Sequence, residues 1–438
     1  MKFDKIIYRL IVGLVLLTSL VACIDEIEID TLADDSASNL LVVEAVLTDE
    51  LKTQTVFLSR SDSRLDLETD TIYNPFLTPG VTPYDSVTVE PGAIVKVLGD
   101  DGSEFMFSEG QPGKYYSNTP FALKMGAQYT LDITTRSGTS YVSDPIQVMG
   151  TAGITDVYAE RIVNNAGVEG IAIYVDSEPL SGDSQYYRYT YAETYKIEAP
   201  LWTPYDFELT NYDNTTRPPT YNLDIVERQV QNRICYNTVA SNNINVLSVA
   251  GNSSSKINRH LVRFISKENF IIAQRYSILV KQMVESQDAY SYFEILKDFS
   301  QSESLFSQVQ TGPIYSNVHR KDGAVESVLG YVEAVGAAEK RLFFNYEDFF
   351  PNEEKPSYAF DYDCGFLTAL LFNPEPPPIG CPQGLLDRID ANIVTYYSPY
   401  DEGLVPDAIC PGPYVFVPRL CGDCTLLGDN VVPDFWEE

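Results

Sequence analysis

The chain has only two histidines among its 438 residues, and it lacks the short motifs of the common catalytic sites. His260 and His319 each stand beside an arginine, and neither belongs to a Gly-x-Ser-x-Gly turn or a His-Glu-x-x-His helix. A Walker loop and a dinucleotide fingerprint are also missing. A glycosidase-like pair could be placed anywhere among 62 carboxylates, and only folded geometry can reveal one. We therefore expect a protein with no catalytic residues, no cofactor and no metal site.

Basic residues are also scarce, because 30 Lys and Arg stand against 62 Asp and Glu and give a formal net charge of -32. Nucleic-acid binding needs clustered Lys and Arg, so this composition argues against a nucleic-acid partner. It argues equally against electrostatic attraction to anionic lipids. The negative charge suits a soluble domain that is repelled by a negatively charged cell surface.

The N-terminal apolar run is too short to cross a bilayer. It extends from Leu10 to Leu17 and follows Lys2, Lys5 and Arg9. A helix needs roughly 20 apolar residues to span the hydrocarbon core. A basic start followed by a short apolar segment is typical of a secretory signal, so we predict that residues 1–22 form a signal peptide that is removed.

The tetrad Leu20-Val21-Ala22-Cys23 follows this segment and predicts a lipoprotein signal. The small side chain of Ala22 permits cleavage before Cys23, and the thiol of Cys23 would then accept lipid. Lipoproteins of this kind carry more than one acyl chain, which makes their attachment to a membrane nearly permanent. The alternative is an ordinary signal peptide with a chance cysteine.

The segment after Cys23 is acidic and reads Ile24-Asp-Glu-Ile-Glu-Ile-Asp30. Ile24 stands where lipoproteins retained at the inner membrane have Asp, so the pattern resembles that of lipoproteins sent to the outer membrane. The acidic run also resembles the surface-export signal of Bacteroidota lipoproteins. Its alternative interpretation is a solvated acidic tether, and either way residues 23–38 are predicted to be a flexible tether.

Six cysteines remain besides Cys23, and an even number in an exported chain predicts disulfides. Fifteen connectivities are possible, and the sequence does not select one. Two alternatives stay open for the Cys-Gly-Asp-Cys motif at 421–424, a zinc site and a redox-active pair, although the histidines are far away and no helical pattern follows the motif. The disulfide candidates are Cys235, Cys364, Cys381, Cys410, Cys421 and Cys424.

Period-two hydrophobicity predicts strands from Asn39 onward, beginning with Leu41, Val43, Ala45 and Leu47 on one face. Hairpins are predicted at Gly99–Gly102 and at Arg136–Gly138, and a loop is predicted over Asp62–Asp85. Short strands at this spacing indicate an immunoglobulin- or fibronectin-like β-sandwich over residues 39–149.

The Gly-Thr-Ala-Gly stretch at 150–153 is the predicted boundary to a larger β-rich domain over residues 150–438. Apolar residues spaced three and four apart after Ser286 predict one amphipathic helix with its aromatic stripe facing the core. The C-terminal segment is predicted to be irregular and held by disulfides, with Phe435 and Trp436 docked onto the body. Strands are predicted at 170–175, 187–195, 261–265, 276–284, 327–332 and 341–344.

Tyrosine is abundant, with 30 residues. Alternation places Tyr187, Tyr189 and Tyr191 on one sheet face, which favours a half-buried strand over a binding surface. A second cluster, Tyr396, Tyr397 and Tyr400, is followed by turn-forming residues and resembles an exposed loop. Because tyrosine combines an apolar face with a polar tip, these three residues are the predicted contact surface.

Several of these segments together resemble a Bacteroidota lipoprotein family known only as domain-of-unknown-function 4249. They are the lipoprotein signal, Leu41–Ala45 with Leu47–Asp49, Tyr276–Gln282, Leu329-Gly330-Tyr331, and Cys421–Cys424 with Pro433–Trp436. The resemblance implies an outer-membrane lipoprotein whose gene usually neighbours a TonB-dependent transporter. It implies no catalytic residues, because none are established for the family.

The sequence therefore predicts a surface-exposed outer-membrane lipoprotein that acts as a non-catalytic accessory or substrate-binding partner of a TonB-dependent transporter. The alternative is an adhesive or envelope-structural lipoprotein. A lipid-anchored hydrolase is a third class, but the chain has no motif for it.

Overall fold

The computed structural model describes residues 39–61, 88–182, 184–252, 254–301, 316–358, 363–374, 380–381 and 383–438. The predicted signal peptide, tether and Asp62–Asp85 loop lie outside the described residues, so those predictions stay untested.

The N-terminal part is sandwich-like and built from short strands. Leu41, Val43 and Leu47 are completely buried along the first strand, as its period-two pattern predicts. Glycines 102 and 138 adopt positive φ at the tips of the two predicted hairpins, which the structure confirms. The strands are β1 Leu41–Thr48, β2 Thr55–Arg60, β3 Ile94–Gly99, β4 Glu104–Gln111, β5 Lys114–Ser117, β6 Tyr129–Thr134 and β7 Ser140–Ser143.

Thr48 departs from the simple alternation, because it lies on the opposite face of β1 from Leu41, Val43 and Leu47 yet is fully buried. The side chain of Gln54 folds over it and bonds to its backbone amide and carbonyl. Burying a polar group is unfavourable unless the group is hydrogen-bonded, and the two bonds to Gln54 meet this requirement for the Thr48 backbone.

The larger part of the chain is also mainly β, as predicted. Its hydrophobic cluster contains the first tyrosine cluster, with Tyr187 and Tyr189 at most 1% exposed. Its strands are β8 Gly150–Thr151, β9 Ile154–Val163, β10 Glu169–Ser177, β11 Ser181–Gly182, β12 Tyr186–Glu198, β13 Tyr205–Asp213, β14 Thr220–Glu227, β15 Ile234–Ala240, β16 Asn245–Ser248, β17 His260–Ser266, β18 Arg275–Glu285, β19 Val318–Arg320, β20 Leu329–Asn345, β21 Val394–Pro399 and β22 Tyr414–Pro418.

Strand β20 joins both parts into a 13-stranded sheet. The sequence predicts two separate strands here, at 327–332 and 341–344, but the structure has one strand of 17 residues. Its first half pairs with β1 in parallel and its second half pairs with β18 in antiparallel. The period-two pattern is lost around Gly336-Ala-Ala because the strand changes partners there. The predicted domain boundary at Gly150 remains a prediction.

The order of strands in this sheet is β15-β12-β18-β20-β1-β2-β5-β4-β3-β6-β7-β19, and β16 also pairs with β12. The smaller sheets are β17-β10-β9, β11-β8, β13-β14 and β21-β22. Val318, Val332 and Ala334 belong to the N-terminal hydrophobic cluster, so the second half of the chain completes the core of the first.

Gly330 permits the parallel pairing of β20 with β1. Its φ is +82°, and a Cβ at this position would lie 2.1 Å from the carbonyl oxygen of Val43. Only glycine fits such a close backbone approach without strain. This explains on physical grounds why the Leu-Gly-Tyr segment at 329–331 contains glycine.

The predicted amphipathic helix is α1, Gln287–Gln301. The Ser286 Oγ accepts a hydrogen bond from the Ala289 amide at 3.1 Å, which caps the first turn as predicted. None of the helices in the described part of the chain has the length and apolar character that a membrane crossing demands. The short helices are α2 Tyr346–Phe349, α3 Leu385–Asp390 and α4 Arg419–Gly422.

The C-terminal segment is held by three disulfides, as predicted. The pairs are Cys235–Cys424, Cys364–Cys421 and Cys381–Cys410, with Cα–Cα distances of 5.5–5.6 Å. The two cysteines of the Cys-Gly-Asp-Cys motif therefore bond to different partners. This pairing contradicts both the zinc and the redox alternatives for the motif.

The segment is more regular than predicted, because β21, β22 and α3 form a small lobe around Ala369, Leu385 and Phe416. The terminal aromatic pair docks on the large sheet, as predicted. The Trp436 ring packs against Tyr236 and Phe343, and the Arg341 guanidinium lies 3.6 Å from the centre of the Phe435 ring.

Removing the Cys235–Cys424 bridge is expected to destabilise the protein more than removing Cys381–Cys410. The first bridge spans 189 residues and the second spans 29, so the first restricts the unfolded chain more. The chain-entropy model predicts a difference of about 1–2 kcal/mol in the free energy of unfolding. Urea unfolding of the two double Cys→Ala variants, compared with the parent under oxidising conditions, measures this difference, and equal losses would contradict it.

Candidate functional site

The predicted tyrosine surface is only partly exposed. Tyr396 lies on β21, is 8% exposed, and its ring packs against Phe207 and Tyr414 at centroid distances of 5.4 and 5.9 Å. The prediction of an exposed loop is therefore wrong for Tyr396. It is a packing residue between the β13-β14 hairpin and the C-terminal lobe.

Tyr397 and Tyr400 keep part of their surface in solvent. The register of β21 against β22 shifts between Tyr396 and Ser398, so Tyr397 is the extra residue of a bulge. A bulge breaks the alternation of side chains and redirects one of them. The Tyr397 ring contacts the Phe366 ring in a tilted arrangement with 4.7 Å between centroids, and Tyr397 and Tyr400 are what remains of the predicted contact surface.

A surface cleft of about 240 Å³ lies between the tip of the β13-β14 hairpin and the C-terminal lobe. Tyr212, Phe372 and Asp387 line it, and the Tyr212 hydroxyl donates a hydrogen bond to Asp387. Burial and this carboxylate raise the pKa of Tyr212 to about 12. The hydroxyl is therefore protonated at neutral pH, and Asp387 of the C-terminal lobe accepts its hydrogen bond.

The most unusual electrostatics lie on the large sheet, under helix α1. This helix packs on β12, β16 and β20. Its ring contacts are Tyr290 with Tyr186 at 4.7 Å and Tyr292 with Tyr331 at 4.9 Å. The aromatic stripe of α1 thus faces the protein, as the sequence predicts, and closes a space above the sheet.

Three charged residues fill that space, and we call Arg188, Glu285 and Glu333 the buried charge cluster. The Nε of Arg188 donates to Glu285 Oε1, and its Nη2 donates to Glu333 Oε1. Their exposed fractions are 9%, 0% and 3%. The three residues come from the neighbouring strands β12, β18 and β20, and the guanidinium also lies 4.1 Å from the centre of the Phe293 ring on α1.

Burial dominates the electrostatics of the cluster. It raises the pKa of Glu333 from 4.5 to about 8, against the opposing effect of Arg188. It also raises the pKa of Glu285. Removing a carboxylate from water disfavours its charged form, and a second carboxylate nearby adds to this effect.

Glu193, another buried glutamate of the large sheet, has more hydrogen-bond donors than Glu285 and Glu333 do. Glu193 accepts hydrogen bonds from the Tyr276 hydroxyl at 2.6 Å and from Arg263 at 3.2 Å, so both of its oxygens have donors. The Oε2 atoms of Glu285 and Glu333 are buried and have no donor. Buried polar atoms in native proteins are nearly always hydrogen-bonded, so this pair requires an explanation.

Both histidines contact neighbouring side chains. His260 stacks on Tyr189 at 4.6 Å and contacts Asn245 Oδ1 at 3.0 Å. Burial, with a contribution from Lys297, lowers the pKa of His260 to about 4, so its ring is neutral at pH 7. His319 lies on the surface, 3.6 Å from Asp144. The described residues contain no group of three or more potential metal ligands.

Sequence reasoning missed the buried charge cluster. Arg188 lies between Tyr187 and Tyr189, so alternation does place it on the opposite face of the strand. That face is usually exposed to solvent, however, and nothing in the local sequence shows that α1 covers it. Glu285 and Glu333 are 97 and 145 residues away from Arg188, so only the tertiary fold brings them together.

Comparison with known families identifies the family to which the chain belongs. The profile of a family described as "Domain of unknown function (DUF4249)" matches residues 24–341. The closing Cys421–Cys424 and Pro433–Trp436 segments lie outside the match. Searches of curated proteins and of solved structures found no match. Since the profile covers well over half of the 438 residues, the chain belongs to this family of unknown function.

Proposed function

We propose that the protein is a lipid-anchored, surface-facing protein of the outer membrane that acts as a non-catalytic accessory or substrate-binding partner of a TonB-dependent transporter. The pairing of the cysteines carries this proposal. All six cysteines in the described part of the chain bond to one another, so Cys23 has no disulfide partner among them. Its thiol is left for acylation.

Two further observations support the proposed location. Disulfides persist in oxidising compartments outside the cytoplasm, which fits an exported chain. The family match begins at residue 24, directly after Cys23, and so fits a mature protein that starts at this cysteine.

The transporter partner is proposed from the family resemblance. The tether length is compatible with it. Residues 23–38 span at most about 50 Å when fully extended, at about 3.3 Å per residue. The folded body could therefore stand beside, or above, a barrel embedded in the same membrane.

Affinity purification from detergent-solubilised outer membranes tests this function. The turn at Asn165-Ala166 is exposed between β9 and β10 and is a suitable place for an inserted tag, because loop tips tolerate insertions. We expect a TonB-dependent barrel to co-purify in near-stoichiometric amount. Its absence under several growth conditions would contradict the proposal and favour the adhesive or structural alternative.

Variants in the same experiment test the contact surface. Tyr397→Ser removes the ring at the half-exposed bulge, and we expect it to reduce the amount of barrel retained. Tyr205→Ser is the matched control, because Tyr205 is 47% exposed on a different strand. Equal retention by both variants and the parent would remove Tyr397 from the contact surface.

A further inference from the structure

The buried charge cluster cannot be neutral if both of its glutamates are ionised. One guanidinium would then face two carboxylates in a space closed by α1. The two carboxyl groups are also close enough to shift each other's pKa, yet two ionised carboxylates have no hydrogen to share. A single proton between them would supply the missing donor and balance the charge of Arg188.

We propose that Glu285 and Glu333 share one proton beneath helix α1, and that this proton-binding site holds the helix on the sheet. One carboxyl group then donates to the other, which explains why both Oε2 atoms are buried without another donor. Two carboxylates at close range cannot both ionise readily, and the first proton binds with high affinity.

The geometry links this proton to the helix through Arg188. Its guanidinium bonds to both carboxyl groups and lies over the Phe293 ring of α1. If the shared proton is lost, a net negative charge remains in a buried space, and water can stabilise it only if the cover opens. Helix α1 forms that cover, so its docking should weaken.

Other charged or titratable groups lie near the two glutamates or near the tyrosines beside them, on β1, β18, β20 and α1. Lys281, whose charge also favours ionisation of Glu333, does not replace the shared proton, because it already lies 3.6 Å from Glu50. Besides Arg188 on β12, these groups are Lys281 on β18, Tyr331 on β20, Glu44 on β1, and Asp288 and Tyr292 on α1.

The proposal fixes the sign of the pH dependence. The docked state holds the proton up to about pH 8, whereas an opened site would release it near the ordinary value of 4.5. Opening of α1 should therefore become easier as the pH rises between these values, by up to about tenfold per pH unit, and should level off above about pH 8.

Hydrogen exchange of the α1 amides over this pH range, corrected for the chemical exchange rate, measures the effect. Glu333→Gln should abolish the dependence, because the amide donates permanently to Glu285 in place of the proton. Glu339→Gln is the matched control, because Glu339 is exposed on the same strand, and it should retain the pH dependence of the parent.

A flat profile for the parent, or an unchanged slope in Glu333→Gln, would overturn the proposal. If Glu333→Gln does not fold, Glu285→Gln removes the same pair. Infrared spectroscopy of the parent provides a test without any variant. A protonated carboxyl band should persist at neutral pH and disappear above about pH 8, and its absence at neutral pH would refute the shared proton.

Discussion

A chain carrying Cys23→Ala is expected to leave the membrane fraction almost completely and to accumulate in the soluble fraction. Attachment is proposed to depend on acyl chains on this cysteine. Each buried methylene contributes about 0.8 kcal/mol to membrane binding, so losing the chains removes nearly all of the affinity. The full sequence has a formal net charge of -32, so electrostatic attraction to anionic lipid cannot replace them. Fractionation followed by immunodetection measures the change.

Thr18→Ala is the matched control for this experiment, because it alters the same N-terminal region outside the tetrad at residues 20–23. This variant should remain in the membrane fraction as the parent does. If Cys23→Ala is retained as well, attachment does not depend on acylation of this residue.

The second large effect is expected from Arg188→Ala, which should lower the free energy of unfolding by about 3–5 kcal/mol at neutral pH. Removing the guanidinium leaves Glu285 and Glu333 buried without a counter-charge. The loss should be smaller at low pH, because both carboxyl groups can then be protonated and neutral. Urea unfolding at several pH values measures both the loss and its pH dependence.

Arg233→Ala serves as the control. Its side chain is 52% exposed and pairs with Glu198 at 2.6 Å on the surface. Exposed ion pairs contribute about 0–1 kcal/mol, so this loss should be small and nearly independent of pH. Similar losses for the two variants would show that burial does not increase the contribution of Arg188 to the free energy of unfolding.

Elements with strong local patterns were predictable from the sequence. Strand β1 and the two N-terminal hairpins carry their apolar alternation and turn residues within a few positions. Helix α1 has an aromatic stripe at helical spacing and a serine cap. These features depend on local backbone geometry and on one buried face, which short-range patterns encode.

Features that depend on tertiary contacts could not be predicted. The three disulfide pairs join cysteines that are 29 to 189 residues apart, and composition alone does not select one connectivity. The hairpin of β13 and β14 was missed, although apolar and polar residues alternate in both strands. Its packing on the C-terminal lobe rather than on the large sheet is a tertiary contact.

The candidate site also depends on tertiary contacts that the sequence does not show. The sequence identified Tyr396, Tyr397 and Tyr400 as neighbours, but a bulge decides that Tyr396 is buried while Tyr397 turns outward. The buried charge cluster assembles from three strands of one sheet and a helix that covers them. A sequence shows each of these parts, but only the fold shows that they meet.

Intact mass spectrometry of the protein extracted from membranes, combined with thiol labelling, is the most direct test of a lipid-anchored, disulfide-bonded envelope protein. The expected species begins at residue 23, carries the added mass of acyl chains, and has no thiol that reacts before reduction. A species that begins elsewhere, or an unmodified Cys23 that reacts with the label, would contradict the proposed attachment.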